Sequence, residues 1–156
     1  MKGLDIRLVI AMVIACSMIP LAAVQTTPAE LVALVTKARL AGTVTAWCRA
    51  EFRSGRTGAF AIAVTRAVGG RYLALDADGR ATALGSFTSK PDLSCYSRAE
   101  AEKLDRSIRQ SETIHGQITP RWNTTVVCGF IDDKTAECWQ SSPTDRAFVK
   151  VGRWTT

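Results

Sequence analysis

Cysteines limit the fold of this chain more than any other feature. Cys48, Cys95, Cys128 and Cys138 lie along its body, and Cys16 stands near its start. In an exported chain of this size an even set of cysteines reads as a disulfide framework, and four allow three connectivities. Cys128 and Cys138 are placed symmetrically about Asp132-Asp133-Lys134, a natural turn. A three-residue hairpin closed there would put the two sulfurs on directly opposed residues. We therefore assign Cys128–Cys138 and, with it, Cys48–Cys95. In the chain-entropy model the longer loop gains more stability from its link. A thiol or zinc site is not expected, because no C-x-x-C occurs and His115, the single histidine, is not at zinc-ligand spacing from any cysteine.

The N-terminus argues for export. Residues 1–7, MKGLDIR, carry Lys2 and Arg7, and no charge follows from Leu8 to Val24. A basic start and an apolar run form a secretory signal peptide. Cleavage after Ala23 would place Leu21 and Ala23 at the peptidase pocket, with Pro20 breaking the apolar helix. Residues 1–23 are thus the expected signal peptide and 24–156 a single exported domain, secreted or periplasmic. Two other endings compete. Val13-Ile14-Ala15-Cys16 resembles a lipobox with Cys16 lipidated, but the apolar run before it is short and continues past it. An uncleaved anchor over Leu8–Val24 would be at the short limit for spanning a bilayer. No later segment approaches membrane-spanning length. Loss of residues 1–23 removes two bases and one acid and lowers the formal charge from +6 to +5. That modest positive charge suits anionic envelope polymers, phosphorylated lipids or acidic proteins. Its dispersal among acids reads first as simple solubility, and no nucleic-acid partner is expected without a denser basic cluster.

Hydropathy patterning supplies the elements. Thr27, Pro28 and Glu30 form a capping box with Pro at the first helical position, and Leu31, Leu34, Val35 and Ala38 repeat at helical spacing, so a helix is predicted over 28–41 with Gly42 as its stop. In 44–53 the residues Val44, Ala46, Cys48, Ala50 and Phe52 alternate with Thr45, Trp47, Arg49, Glu51 and Arg53, a strand with one apolar face. Alternation around Phe60, Ile62 and Val64, then 72–76 and 81–87 about "DADG", predicts a four-stranded antiparallel meander. Residues 88–96, TSKPDLSCY, read as loop. Ser97 and Glu100 form a second capping box for a helix over 98–110 with Ala101, Leu104 and Ile108 on one stripe. Four further strands are predicted over 113–118, 124–131, 136–141 and 148–154. The order suggests two αββββ-like halves, 27–93 and 97–156, without a residue-by-residue repeat. The expected fold class is α+β, an antiparallel sheet of about eight strands with two helices, stapled by disulfides around one shared core.

Catalytic and cofactor signals are weak. DADG (76–79) invites a calcium loop, but alignment on Gly79 puts Ala74 and Gly85 where oxygen ligands are needed, and a hairpin turn explains the residues. His115 has no nucleophile motif beside it. No catalytic, metal or cofactor residue is assigned. A hydrolase using unlinked carboxylates needs no fixed spacing and stays an alternative. Asn123-Thr124-Thr125 forms a glycosylation sequon. Trp47, Arg49 and Arg53 fall on one face of the first strand with Arg56 in the adjoining turn, a candidate contact surface for a polyanion or a sugar. The alternative covers Trp47 with a helix and pairs the arginines with nearby acids. In outline a repeated helix-and-sheet unit in a disulfide-bearing export resembles secreted enzyme-inhibitor scaffolds, though no motif residues carry the likeness. The expected function is an exported, non-enzymatic binding or inhibitor-like domain with a protein partner, contacting it through the arginines, Trp47 and loop 88–96. A basic module for anionic polymers is the other alternative.

Overall fold

A computed structural model describes residues 27–156. The segment expected to be a signal peptide, with its cleavage, lipobox and anchor alternatives, lies outside the described residues. The elements run α1 (Ala29–Lys37), β1 (Thr43–Ala50), β2 (Ala59–Thr65), β3 (Gly70–Leu75), β4 (Ala81–Phe87), β5 (Leu93–Tyr96), α2 (Arg98–Gln110), β6 (His115–Ile118), β7 (Val126–Phe130), β8 (Thr135–Ser141) and β9 (Phe148–Thr155). The fold is α+β with every strand pair antiparallel. The strands form two sheets, β1-β2-β3-β4 and β5-β7-β8-β9-β6. The single sheet expected from the pattern is thus two, divided near the boundary between its two halves.

Side-chain alternation explains the layering. On β2, Phe60, Ile62 and Val64 point to one face and meet Leu31 of α1 and Leu75. Ala59, Ala61 and Ala63 point to the other, where their small size lets the second sheet approach. The second sheet gives its outer face to α2, through Ala101 and Ile108 over Val126, Cys128, Cys138 and Trp154. The order of layers is helix, sheet, sheet, helix. Between the sheets, two aromatics settle over two glycines. A Cβ on Gly129 would lie 2.7 Å from the Tyr72 ring, and one on Gly85 would lie 2.6 Å from Trp139. Each sheet supplies one ring and one gap. Burial pushes the Tyr72 hydroxyl pKa up to about 12, although the Asp92 N–H bond opposes the shift and the Asp92 charge adds to it. The Tyr72 hydroxyl donates to Phe130 O at 2.6 Å.

Both disulfides have the assigned partners. Cys48–Cys95 joins β1 to β5, one edge of each sheet, with Cα atoms 5.9 Å apart. Cys128 and Cys138 are in register across β7 and β8 with Cα atoms 4.1 Å apart. The Ile131 N–H donates to Thr135 O at 2.8 Å, so Asp132-Asp133-Lys134 is the turn. The DADG segment is likewise a hairpin turn: Gly79 has φ +83°, and the Asp76 carboxylate accepts from the Asp78 and Arg80 N–H groups at 2.9 Å.

Several local expectations need correction. The first capping box does not form: the N-cap is Pro28, without a side-chain cap bond, because the Glu30 carboxylate turns to Arg49 at 3.0 Å. α1 ends at Lys37, before Gly42, with Arg39 left-handed just past it. The second box forms in full, Ser97 with Glu100. Loop 88–96 contains β5. β-Bulges interrupt β1 at Thr45, β4 at Leu84 and β9 at Val151. The first moves Val44 onto the α1 face beside Trp47, away from the face it was expected to share with Cys48.

Candidate functional site

The expected contact strip divides in two. Trp47 packs edge-on against Phe60, ring centroids 6.0 Å apart, in the apolar layer beneath α1. Arg49 lies 5.2 Å from the centroid of the same ring and pairs with Glu30. Trp47 thus packs in the layer under α1, while Arg49 meets that helix through Glu30 and keeps 60 % of its side chain exposed.

Arg53 and Arg56 go elsewhere. Phe52 is drawn between the sheets, 5 % exposed, and meets Phe148 edge-on at 5.0 Å. The chain then leaves the sheet, and Arg53 and Arg56 bridge a tight turn about Ser54-Gly55 at one end of the sandwich. Gly55, at φ +73°, makes that turn possible. Its N–H donates to the Glu51 carboxylate at 2.6 Å. Two other turns reach the same end, and each brings an arginine that the sequence did not single out. Arg80 closes the β3–β4 turn and Arg146 the β8–β9 turn. Arg53, Arg80 and Arg146 line one cavity of about 30 Å³ with Asp76, Phe52 and Phe148. Arg53 and Arg56 line a neighbouring one of about 30 Å³ with Asp76 and Asp78. Neither has room for a metabolite, but each could seat a water or part of a carboxylate.

Acids share this end, Asp76 and Asp78 in the cavities, Glu51 and Asp145 in the turns, but none pairs directly with its arginines. Ion pairs among the described residues are Arg49–Glu30, Arg98–Glu102, Arg109–Asp105 and Lys150–Glu137. None involves Arg53, Arg56, Arg80 or Arg146. Asp76 spends one oxygen on its own turn. Arg146 adopts φ +59°, where a side chain with a Cβ is strained. Its loop is fixed by Ser142 N–H to Ala147 O at 2.8 Å and by the Ala147 N–H to Asp145 at 3.2 Å. Hydrogen bonds from Ser142 and the Ala147 N–H hold the Asp145 pKa below its usual value. The loop holds a strained arginine toward the shared cavity, and such strain gathers where function needs a fixed geometry.

Larger concavities lie elsewhere. One, of about 540 Å³, opens between the 89–92 segment and the Asp132-Asp133 turn, where loop 88–96 was expected to offer a contact. His115, exposed on β6, is not in it. Asp132 is committed there to the Lys134 and Thr135 N–H groups, which lower its pKa. Every carboxyl with a resolved shift among the described residues moves down: Glu100, Asp105, Asp132 and Asp145. Guanidinium groups gathered at one end in this way are able to bind anions. Comparison with protein-family models, with curated proteins and with solved structures finds no match to this chain.

Proposed function

We propose that this chain is an exported, non-enzymatic binding domain of inhibitor-like build, and that the arginine-bearing end of its sandwich engages a carboxylate-rich partner protein outside the cytosol. One observation carries this reading: four arginines from three turns meet at one end without an ion-pair partner among the described residues. Arginine matches carboxylates with two parallel hydrogen bonds and is weakly hydrated, which suits an interface. The two disulfides are consistent with an extracellular or secreted setting, and among the described residues no helix is long and apolar enough to cross a membrane.

Affinity capture from the envelope fraction of the source, with the disulfides intact, tests the proposal. The native chain should recover a partner, and an Arg53→Glu/Arg80→Glu variant should lose at least about 90 % of it, since reversing rim and core charges weakens such contacts by several kcal/mol. Recovery of the same partner by the variant would overturn the arginine assignment. Equal retention on any polyanion, abolished by salt, would favour the polymer-binding alternative.

A further inference from the structure

Sheet edges expose unpaired N–H and C=O groups, and proteins usually close them. Three of the four edges here are tied down along or just past the strand, and β4 only past its end, where the Thr88 N–H donates to Ile131 O at 3.0 Å. β1 and β5 are tied to each other by Cys48–Cys95. Beyond them the Thr125 N–H donates to Glu51 O at 2.9 Å and the Glu51 N–H to the Thr125 hydroxyl at 2.7 Å. The β6 edge is covered by α2, whose Asp105 carboxylate accepts the Ile118 N–H at 2.6 Å. The fourth edge, β4, pairs with β3 on one side only, and among the described residues no strand pairs with the other. Its sequence, ATALGSF, has no charge and no proline to deter a new strand. The Asp76 N–H donates to Arg80 O, and register alternation from that pair turns the N–H and C=O groups of Ala81 and Ala83 outward.

A cationic shelf lies beyond this edge. Gly85 of β4 stands over Trp139 of β8. Trp139 pairs with Lys150 on β9, so Lys150 lies one strand further out on the same face. Glu137, two residues from Trp139, pairs with Arg153, which pairs in turn with Gln117 on β6. Arg121 joins them because Gln140, fully buried, holds the loop before β7: its Oε1 accepts the Arg121 and Trp122 N–H groups and its Nε2 donates to Trp122 O and Thr124 O. Arg121, Lys150 and Arg153 line a concavity of about 600 Å³. Glu137 offsets one of the three charges through Lys150.

We infer that β4 accepts an extended segment of the protein partner as an added strand, with acidic side chains at alternate positions meeting Arg121, Lys150 and Arg153. Main-chain bonds would give the affinity and the alternating acids the specificity. The inference rests on the binding reading above and names the form in which a partner is held.

Hydrogen exchange of the full chain, with and without a capped peptide alternating Glu and Thr, tests it. The Ala81 and Ala83 amides should exchange at least about tenfold more slowly with the peptide, a protection of the size one added ladder bond provides. An Arg121→Gln/Arg153→Gln variant should bind the peptide at least about tenfold more weakly, as for loss of interface charge pairs. Ala83→Pro, which removes an outward N–H, should abolish the protection; its fold is verified by intact disulfides and unchanged far-ultraviolet dichroism. Protection confined to the turns carrying Arg53, Arg80 and Arg146 would overturn the added strand and leave the arginine end standing. Protection of Ala81 and Ala83 before peptide is added would overturn it too, since the edge would already be filled. Peptide binding at neither place would count against both readings.

Discussion

The two halves of this molecule use similar parts and finish them differently. Each packs one helix on one face of an antiparallel sheet, and the free faces meet. The second half is closed with polar devices. α2 has a complete capping box, two i,i+4 ion pairs, and Asp105 reaching to the edge strand β6. α1 has no side-chain cap, its sheet has an unpaired outer strand, and Glu30 and Arg49 pair across helix and sheet. The second half thus guards its own edge, while the first depends on its neighbour and keeps an edge available. The partner binding proposed above needs both qualities, a rigid body and an unsatisfied surface.

Removal of the link between the halves should break this contrast most severely. Cys48–Cys95 closes a loop of 47 residues and Cys128–Cys138 one of 10. Chain entropy assigns them about 4 and about 3 kcal/mol. A Cys48→Ser/Cys95→Ser variant should therefore lose more stability to denaturant than Cys128→Ser/Cys138→Ser. It should also show separate transitions if the halves can loosen independently. Equal losses with one shared transition would mean that the inter-sheet packing, and not the disulfide, sets cooperativity. That packing has its own probe. Gly129→Ala and Gly85→Ala should each cost about 2–3 kcal/mol, by pushing Tyr72 or Trp139 out of its gap. A change below about 0.5 kcal/mol at both would show that the sheets are not in close contact.

The second half's closure is a pH-dependent feature. Burial alone would raise the Asp105 pKa, but the Ile118 N–H and the Arg109 guanidinium outweigh it and bring the pKa below the usual value. A depressed folded pKa contributes stability above the unfolded value, near 3.8, that is lost as pH falls through the folded one. Asp105→Asn should cost about 1–2 kcal/mol near neutrality and remove part of the acid sensitivity. The comparison with Glu30→Gln sharpens the point, because that exposed pair should change stability by less than about 0.5 kcal/mol.

Much of this was legible in local sequence, and what was not depends on distant partners. Ser97 and Glu100 announced α2 because a capping box is settled within one helical turn. The Cys128–Cys138 link was legible because its turn lies between the two cysteines. Thr27 and Glu30 carried the same box pattern and failed, since Arg49 offers Glu30 a charged partner 19 residues away. β5 is four residues long and follows Pro91 and Asp92, so its local signals say turn; pairing with β7 makes it a strand. The bulges at Thr45, Leu84 and Val151 leave no mark in the alternation. For the site, Arg53 and Arg56 were visible as turn residues beside a strand. Arg80 and Arg146 were missed because only the stacking of the sheets brings three hairpin ends together. The available signal was that each also stands in a turn, in DADGR and SPTDR.

The smallest expected effect separates stability from binding at that shared end. Arg146 comes from the second half and meets Arg53 and Arg80 of the first. Arg39 is the other non-glycine residue at positive φ among those described, and its place just past α1 is where helices ordinarily turn left-handed. Arg146 is left-handed where it closes the six-residue hairpin turn between β8 and β9, a place glycine could hold without strain, as Gly79 does in the β3–β4 turn. Arg146→Gly should therefore raise stability by up to about 1 kcal/mol, through relief of a left-handed side chain, while glycine's freedom in the unfolded chain reduces the gain. The same change removes one of four guanidiniums and should weaken partner capture. Arg39→Gly should leave capture unchanged. Thermal unfolding and capture measured on both variants decide the matter: if Arg146→Gly binds as the native chain does, the strain at Arg146 serves the turn alone, and the recognition end reduces to Arg53, Arg56 and Arg80.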